Sequence, residues 1–556
     1  MGGLCRLAFK EKIMDTNLAQ MKIVSSLDKV RLGDDVSNLG VTKLTALKGE
    51  SINFQVYVKV DLRATLPVRV ESALSDFSTL YQVKDTIIDF IWFNDEDVIT
   101  DKPGIVPDIL IPLCDQNGFY SASKYGSCMW VNVKVPEDFK AGEYDFTVYF
   151  GEDSASLKIE IVDEVVEENT LKYTQWFHPD CIASCHNVAM YSEEHWKLIE
   201  NYMLLAKETG INMVLTPVLP LNLDTDRGFN VKRPDCSLTD ITVTNGTYSF
   251  GFDRLGKYID LALKCGMQYF EISHLYHAGG AEWCINIEAE VDGERKYIFD
   301  SSMRADTEEY VDFLKAFVPA LTSFLKDKGV FDKCYFHISD EPNKNNIDIY
   351  EYANKQIKPL FEGRPLMDAL SEVDFVEKGL MDVAVAEIAH IEDFINKDFE
   401  EKWCYYCCGD WDKVSNRLLF MPSYRNRIIG LQMYKYGFDG FLHWGYNFTY
   451  VSGSMFDINP YVSQSSSYMF PSGDAASVYP SKNGAYPSIR ALVFKEAIED
   501  IQICRTLEKY IGKEAVVKLI DEEAGMNLTF KEYPRNAEFL QSLADKMRQM
   551  IKELSK

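Results

Sequence analysis

Short apolar runs alternate with amphipathic helical patterns throughout residues 171–510, and this alternation constrains the fold more than any other feature. The apolar runs have the length and composition of buried strands. They cover residues 171–180, 211–218, 268–275, 334–341, 365–371, 381–388, 403–409 and 439–447. Eight strands, each followed by a helix or a long insert, predict a (β/α)8 barrel. An open doubly wound sheet is the alternative, but the sequence lacks the glycine-rich phosphate turn expected after its first strand.

The segment before the barrel indicates a different architecture. From residue 22 to residue 165 it consists of short strand patterns, such as SINFQVYVKVDL and CMWVNVKVP, joined by turns with proline and glycine. This pattern is typical of an all-β sandwich of Ig-like size, for which we expect a scaffold or docking role. We therefore expect an α/β protein with an N-terminal extension (1–21), a β-sandwich (22–165), a (β/α)8 catalytic barrel (171–510) and a C-terminal helical segment (511–556).

Charge and composition limit the classes of partner. The net charge is −27, and a field of this sign repels nucleic-acid phosphates and anionic lipid surfaces. No apolar run approaches the roughly 20 residues of a membrane-spanning helix, and the N-terminus lacks the apolar core of a signal peptide. The 13 cysteines, an odd number, do not resemble a disulfide framework. We therefore expect a cytoplasmic protein without nucleic-acid or membrane partners, whose charge is compatible with a neutral substrate.

Polar side chains concentrate at the predicted carboxyl ends of the barrel strands, where barrel enzymes hold their active sites. Five of the eight histidines lie on this rim, together with aromatic and amide groups. We predict that the substrate is bound by His178, Asp180, His274, Trp283, His337, Trp403, Tyr405, His443, Trp444, Tyr446 and Asn447. Trp176, His277 and Asp368 lie on the same predicted rim. The alternative role for each histidine or tryptophan is packing, and the rim aromatics also suit stacking on a sugar face.

Two adjacent acids, Asp340 and Glu341, end the strand pattern CYFHISDEP, and Pro342 stops the strand because it has no N–H to donate. If the apolar side chains of this strand face the helices, then His337 and Glu341 point into the barrel. Asp340 would point outward in an ideal strand, but the turn at Pro342 allows both carboxyl groups to reach one ligand. The alternative is a helix-start signal with proline in the first turn.

Adjacent acids suit one kind of glycoside hydrolysis better than another. An ordinary retaining glycosidase takes its acid and its nucleophile from separate elements on either side of the glycosidic bond. In substrate-assisted hydrolysis, the 2-acetamido oxygen of the sugar attacks the anomeric carbon instead. One carboxylate then holds the acetamido N–H, and its neighbour protonates the leaving oxygen. In this interpretation Asp340 orients and stabilises the acetamido group, and Glu341 is the general acid/base. Two acids this close also push their pKa values apart, so that one stays ionised and the other protonated.

Five motifs in register resemble glycoside hydrolase family 123, the β-N-acetylgalactosaminidases. They are FHISDEP, the early WFHPDCIA, the strand WCYYCCG, the segment YGFDGFLHWGYN, and the late GDAASVYP followed by PSIRALVFKEAIEDIQ. Together with the N-terminal sandwich they cover nearly the whole chain. The resemblance places the adjacent catalytic Asp–Glu pair of the family on Asp340 and Glu341. It also implies a retaining, substrate-assisted mechanism on terminal β-linked N-acetylgalactosamine, for which small imported oligosaccharides are the expected source. We expect no cofactor and no metal.

Two other functions fit parts of the sequence. His178, Asp180, His274 and His337 could hold Zn or Mn in a metal-dependent barrel hydrolase or isomerase, although no HxH or HExxH spacing supports this. A catalytically silent carbohydrate-binding protein is the second alternative, because barrels are reused widely. The pattern CYYC, from Cys404 to Cys407, suggests a thiol or zinc motif. However, alternation along a strand would place its two thiols on opposite faces, which favours packing.

Overall fold

The structure is a computed structural model of the chain and describes residues 19–92, 95–221 and 233–556. Most of the predicted N-terminal extension, residues 1–18, lies outside the described residues. The remaining chain forms an N-terminal β-sandwich, a parallel eight-stranded barrel surrounded by helices, and C-terminal helices. This arrangement confirms the predicted fold class.

Ten strands form the sandwich, and its first strand begins just before the predicted start at residue 22. The strands are Gln20–Ser25, Lys43–Lys48, Ser51–Lys59, Arg63–Glu71, Ser78–Ile88, Gly104–Pro112, Phe119–Ser123, Ser127–Lys134, Gly142–Phe150 and Asp153–Val165. Most of their pairings are antiparallel, for example between Ser51–Lys59 and Ser127–Lys134. Alternate apolar side chains, among them Phe54, Met129 and Phe146, meet in a core that contains no barrel residue. The period of two in the sequence therefore produces a sandwich with its own core.

Eight short parallel strands form the barrel, one inside each of the eight apolar runs. From the first to the eighth they are Lys172–Gln175, Met213–Thr216, Tyr269–Ile272, Cys334–Phe336, Met367–Leu370, Val383–Glu387, Trp403–Tyr405 and Gly440–His443. Apart from the fourth and fifth, strands that follow one another in the chain pair in parallel, and the first pairs with the eighth. The fourth and fifth strands meet at a single parallel bridge, Phe336 with Leu366, supported by the hydrogen bond from Phe336 N to Pro365 O at 3.0 Å. This bridge closes the barrel.

The in-and-out alternation of the fourth strand agrees with the prediction. Phe336 and Ile338 belong to the core between the barrel and its helices, and Phe336 stacks on Phe361 with ring centroids 4.4 Å apart. Tyr335 instead lies in the barrel interior, and His337 is fully buried there. The residues that continue this strand are therefore aimed as the sequence indicates.

Helices cover the outside of the barrel and extend beyond its last strand. They are Pro179–His186, Glu193–Glu208, Asp253–Lys264, Glu308–Asp327, Ile347–Ile357, Asp374–Glu377, Glu392–Ile395, Ser423–Arg427, Ile429–Tyr436, Ile489–Ile511, Lys513–Ala524 and Ala537–Leu554. The last two form the C-terminal helical segment, which also touches the sandwich through the ion pair of Arg548 with Glu50. Within the described residues, no helix combines the length and apolarity needed to cross a bilayer.

An inserted four-stranded sheet was not predicted. Its strands Asp240–Thr244, Thr247–Gly251, Ile287–Val291 and Glu294–Phe299 come from the segments on either side of the third barrel strand. The hairpin between the first two turns at Asn245 and Gly246, both with positive φ, as an Asn-Gly turn requires. The sequence TNGT contains the Asn-Gly signal of this turn, but the sequence analysis includes it only in a long insert between barrel strands.

Buried ion pairs join the sandwich to the barrel. Arg490, in the first turn of Ile489–Ile511, donates from Nε and Nη2 to the carboxylate of Asp108, which is a sandwich residue. Tyr479 donates to the same carboxylate at 2.5 Å. Arg425 donates to Asp95 at 2.6 Å, and both side chains are almost completely buried. Because removal of one partner leaves a buried charge uncompensated, these contacts fix the sandwich against the barrel.

We expect Gly440→Ala to destabilise the barrel. A Cβ at Gly440 would lie 2.0 Å from the indole of Trp403 on the neighbouring strand, and that indole is fully buried. Overpacking of this kind costs about 1–3 kcal/mol, or more where the neighbour cannot move. Gly104→Ala is the matched control, because its Cβ would meet only Lys102 O at 4.0 Å, and we expect a change within about 0.5 kcal/mol. Urea unfolding measures both; equal stability of the two variants would contradict the packing.

Candidate active site

A cavity of about 550 Å³ opens at the carboxyl end of the barrel. Its wall combines carboxylates, aromatic rings and two thiols. The residues that matter here are Trp176, His277, Glu282, Trp283, Asp340, Glu341, Tyr405, Cys407, Cys408, Trp444 and Phe470. A cavity with aromatic walls and a few converging polar groups is the usual form of a small-ligand site.

Asp340 and Glu341 reach the cavity because the backbone turns directly after the fourth strand. Asp340 O accepts a hydrogen bond from Gly279 N at 2.7 Å, which fixes the strand extension against the loop after the third strand. Glu341 then adopts a φ of +41°, in the left-handed region that non-glycine residues rarely occupy, and Pro342 follows. A conformation of this kind costs on the order of 1–3 kcal/mol and tends to occur at functional sites. The turn places both side chains on the cavity wall.

Tyr405 holds the Glu341 side chain. It ends the seventh barrel strand, its ring is almost fully buried, and its hydroxyl donates to Glu341 Oε1 at 2.8 Å. Glu341 itself is exposed toward the cavity. A carboxyl group that is anchored on one oxygen and open on the other suits proton exchange with a bound ligand.

Asp340 lies in a strongly negative environment. Burial raises the pKa of its carboxyl group well above the usual value, and the charges of Glu341 and Asp368 raise it further. The positive charge of His337 acts in the opposite direction. Burial and like charge both favour the protonated form. Asp340 therefore binds a proton more tightly than an ordinary aspartate does.

A buried histidine bridges two carboxylates beneath Asp340 and Glu341. His337 donates from Nε2 to Glu271 Oε1 at 2.8 Å and from Nδ1 to Asp368 Oδ1 at 2.7 Å, and all three side chains are fully buried. Glu271 also accepts from Thr174 Oγ1 and from Trp176 Nε1, each at 2.6 Å. The network thus connects the third, fourth and fifth strands to an indole that lines the cavity.

Both carboxylates keep His337 charged. Burial alone would lower its pKa, but the hydrogen bonds and charges of Asp368 and Glu271 outweigh burial and raise the pKa to about 9. The neighbouring His274 stacks on His337 with ring centroids 4.2 Å apart. Burial and the charge of His337 lower the pKa of His274 well below the usual value, so this ring is neutral at physiological pH.

Three of the predicted substrate-binding residues line the cavity: Trp283, Tyr405 and Trp444. The guanidinium carbon of Arg304 lies 5.3 Å from the ring centroid of Trp283, a cation–π contact. Trp444 donates from Nε1 to Asp474 Oδ2 at 2.8 Å and packs on Phe470. These contacts hold two indoles at the cavity wall. His274 and His337 lie one layer below it and do not line it.

The other predicted residues lie away from the cavity wall. Trp403 begins its strand, so it lies at the opposite end of the barrel, where its Nε1 donates to Glu401 Oε2 at 3.1 Å. Tyr446 stacks on Phe177 and donates to Tyr202 O at 2.9 Å, facing the helices. The sequence pattern predicts only that these residues lie near strand ends. The period of two does not show at which end of the barrel a side chain lies, or how far it lies from the cavity.

His178, Asp180, His443 and Asn447 surround the start of helix Pro179–His186 and the end of the eighth strand. The Asn447 amide accepts from His178 N at 2.9 Å and donates to His178 O at 3.0 Å. His443 Nδ1 accepts from Gly445 N and from Arg417 Nη2, each at 2.9 Å. Asp180 is buried in the first turn of the helix. Their described contacts connect the first strand to the eighth.

Glu271 is a functional candidate that the sequence interpretation missed. Phe270 and Ile272 belong to the core between the barrel and the helices, so Glu271 points inward. The same alternation that was applied to the fourth strand would have placed it there. Glu387, at the end of the sixth strand, was also missed; burial and the charge of Glu341 raise its pKa.

The four residues of the metal-dependent alternative do not form one group. His274 and His337 lie with Asp368, whereas His178 and Asp180 lie with Cys181. Both ring nitrogens of His337 already donate to carboxylates, so metal binding there would require one of these hydrogen bonds to break. Cys404 packs toward the helices and Cys407 toward the barrel interior, as alternation along the strand predicts.

Comparison with known proteins identifies a family for this chain. The model of the glycoside hydrolase 123 catalytic domain matches residues 176–507. A solved family 123 glycoside hydrolase from Clostridium perfringens, studied for glycolipid glycan hydrolysis, superposes with a TM-score of 0.72 at 17% identity and covers 96% of this chain and 97% of that one. An FMN-binding β-glucuronidase from Faecalibacterium prausnitzii L2-6 covers 76% of this chain and 57% of that one at 10% identity, but its TM-score of 0.29 is too low to carry an argument. No curated protein matches the chain.

We expect His337→Gln to remove a contribution to stability that depends on pH. The folded-state pKa of about 9 exceeds the ordinary 6.5, so this contribution is complete below pH 6.5 and is lost as the pH rises through 9. The difference in unfolding free energy between wild type and variant should therefore shrink by roughly 2–4 kcal/mol from pH 6 to pH 10.

His195→Gln is the matched control for this measurement. His195 is also fully buried, but burial lowers its pKa to about 4, so its protonation does not change above pH 6.5. Its stability difference should stay constant from pH 7 to pH 10. Urea titrations at each pH measure both variants, and a pH-independent difference for His337→Gln would show that this imidazole is neutral in the folded protein.

Proposed function

The chain belongs to glycoside hydrolase family 123, and we propose that it releases terminal β-linked N-acetylgalactosamine by a retaining, substrate-assisted mechanism. The observation that carries the proposal is the position of two consecutive carboxyl groups, Asp340 and Glu341, on the wall of one cavity with indoles. Small glycans or oligosaccharides are the proposed substrates. The Clostridium perfringens relative was studied for the hydrolysis of glycolipid glycans. The negative net charge of this chain is compatible with neutral glycans, whether they are free oligosaccharides or parts of glycolipids.

In the first step, the 2-acetamido carbonyl oxygen attacks the anomeric carbon while Glu341 donates a proton to the leaving glycosidic oxygen. Asp340 accepts the acetamido N–H and balances the positive charge of the oxazolinium ring. In the second step, Glu341 removes a proton from a water molecule that opens the ring from the face the leaving group occupied. Two inversions leave the anomeric configuration unchanged.

The surroundings of each carboxyl group support these roles. The hydrogen bond from Tyr405 fixes one oxygen of Glu341 and leaves the other for proton transfer. Asp340 lies above the His337 network, which holds the strand extension in place through the bonds of Ile338 N and Ser339 N to Asp368 Oδ2, at 3.3 and 3.2 Å. A catalytic group on a rigid element meets the positional tolerance of catalysis better than one on a free loop.

The aromatic wall supplies the sugar-binding surface in this proposal. Trp283 and Trp444 present half-buried indoles to the cavity, and each is held by a second group. The C–H faces of a pyranose stack on indole rings, and such rings also exclude water from the reacting bond.

Hydrolysis of paired aryl β-glycosides tests the proposal. Wild type should cleave the N-acetylgalactosaminide and leave the galactoside, which lacks the internal nucleophile. Asp340→Asn and Glu341→Gln should each lower kcat at least about 100-fold, since a positioned acid or base contributes 10²–10⁴-fold. The isosteric amides keep the side-chain shape, and equal melting temperatures confirm folding.

Other outcomes of this assay separate the remaining functions. Cleavage of the galactoside, or activity that does not depend on Asp340, would contradict substrate assistance by this pair. Activity that is abolished by thorough chelation and restored by Zn or Mn would favour the metal-dependent enzyme. Sugar binding without turnover of any N-acetylated glycoside would favour the silent carbohydrate-binding protein.

The proposal also predicts the acid side of the pH profile. Asp340 acts in its ionised form, which is lost as the pH falls through its folded-state pKa, and burial and Glu341 raise that pKa well above 3.8. The value of kcat/KM for the aryl N-acetylgalactosaminide should therefore fall on an acid limb well above pH 4. A profile that stays flat down to pH 4 would show that no such carboxyl group must be ionised.

A further inference from the structure

A second group of polar side chains lies beside the catalytic pair, and the proposed reaction does not use it. Glu387 ends the sixth strand, and Cys407 and Asp410 lie in the loop after the seventh strand. One donor atom from each lies within 4.8 Å of the other two. Cys407 also lines the cavity that contains Asp340 and Glu341.

Two further donors lie next to this group. Cys408 is adjacent to Cys407 on the cavity wall, and the two thiols are in hydrogen-bond contact. His390 Nε2 lies 3.5 Å from Glu387 Oε2 and is half exposed. The set thus offers sulfur, imidazole nitrogen and carboxylate oxygen, which is the donor mixture that zinc prefers over Mg or Ca.

The group brings the carboxylates of Glu387 and Asp410 close together, and His390 is the basic side chain beside them. Among the described residues, no lysine or arginine forms an ion pair with Glu387 or Asp410. A bound cation would relieve the repulsion between the two carboxylates.

We propose that Glu387, Cys407 and Asp410 form a binding site for a thiophilic divalent cation such as Zn²⁺, and that the bound ion inhibits the enzyme. Cys408 and His390 are the available additional ligands. A tetrahedral zinc site has ligand atoms about 3.5 Å apart, from bonds of about 2.0–2.3 Å. The present donor atoms lie within 4.8 Å of one another, and side-chain rotation of Cys407 and Glu387, which are both partly exposed, can bring them to this distance.

The backbone contacts of Asp410 are compatible with this role. Its Oδ1 accepts from Ala389 N at 3.1 Å and its Oδ2 from Cys407 N at 2.9 Å. Each carboxylate oxygen has a second lone pair, so the carboxylate can remain in place and still bind a metal. Hydrogen bonds of this kind orient metal ligands and tune their affinity. Zinc displaces the thiol proton of Cys407 into solvent, so affinity should rise with pH.

Inhibition follows from the position of the site. Cys407 and Cys408 share the cavity with Glu341, and the charge of Glu341 acts on both Cys407 and Glu387. An ion held there occupies sugar-binding space and places positive charge beside the proposed acid/base. This inhibitory effect rests on the proposed glycosidase function, whereas zinc binding itself does not.

Titration of the full-length, chelator-treated protein with Zn²⁺ against a chromophoric chelator tests the binding. We expect wild type to bind one equivalent of Zn²⁺. The affinity for Zn²⁺ should fall at least tenfold in Cys407→Ser and in Glu387→Gln. Cys114→Ser is the matched control, because Cys114 is an exposed thiol in the sandwich with its own acidic neighbour, Asp115, and it should bind as wild type. Melting temperatures verify that each variant is folded.

Three results would overturn the proposal: no zinc bound by wild type, unchanged affinity in both Cys407→Ser and Glu387→Gln, or an equal loss in Cys114→Ser. Unchanged affinity would place the zinc at another group, such as His178, Asp180 and Cys181. Where wild type turns over the N-acetylgalactosaminide, zinc should inhibit it competitively, and Cys407→Ser should require at least tenfold more zinc. Zinc binding without turnover of any glycoside would retain the site and reject the proposed function instead.

Discussion

The hydrogen bonds of Asp368 complete a barrel that backbone pairing alone leaves barely closed. The fourth and fifth strands share one bridge, at Phe336. Beyond this bridge, the Asp368 carboxylate accepts hydrogen bonds from Ile338 N, Ser339 N and His337 Nδ1. A side chain of the fifth strand thus binds backbone N–H groups that a backbone carbonyl would bind in a continuous sheet. These hydrogen bonds hold the residues directly after the fourth strand, which lead to Asp340 and Glu341. Closure of the barrel and placement of the two acids therefore depend on the same carboxylate. The charge of His337 offsets the burial of this carboxylate, which would otherwise be costly.

The sequence predicted the barrel well because a parallel strand that is buried on both faces leaves a strong apolar signal. All eight apolar runs contain a barrel strand, although the strands are only three to five residues long. The apolar runs extend beyond the strands because residues after the strand end, such as Ile338 and Ser339, remain buried although they are no longer part of the strand. The inserted sheet was missed because its strands, such as Thr247–Gly251, alternate exposed and half-buried residues and carry little apolar signal.

The sequence predicts some positions of the candidate site and not others, and the reason is geometric. Alternation gives the side of a strand, which was sufficient for His337 and for the turn at Glu341. It does not give depth along the barrel axis, which separates Trp403 at one end from Tyr405, two residues later, at the other. Alternation also predicts that Glu271 points inward, but a single acid within an apolar run belongs to no motif that marks it as functional. Contacts such as Trp444 with Asp474 join residues far apart in sequence, and no local pattern encodes them.

The sign of the charge around the cavity connects the two proposals. Asp340 and Glu341 line it, whereas Glu387 and Asp474 lie beside the wall residues Cys407 and Trp444. The charge of Glu341 acts on the other three carboxyl groups. In the proposed reaction the sugar is neutral in the ground state and positive in the oxazolinium state, so this field stabilises the reacting state more than the bound substrate. The same field attracts small cations, and the thiol of Cys407 makes thiophilic ones the preferred occupants. Sensitivity to zinc would then be a direct consequence of the electrostatics that favour the reaction.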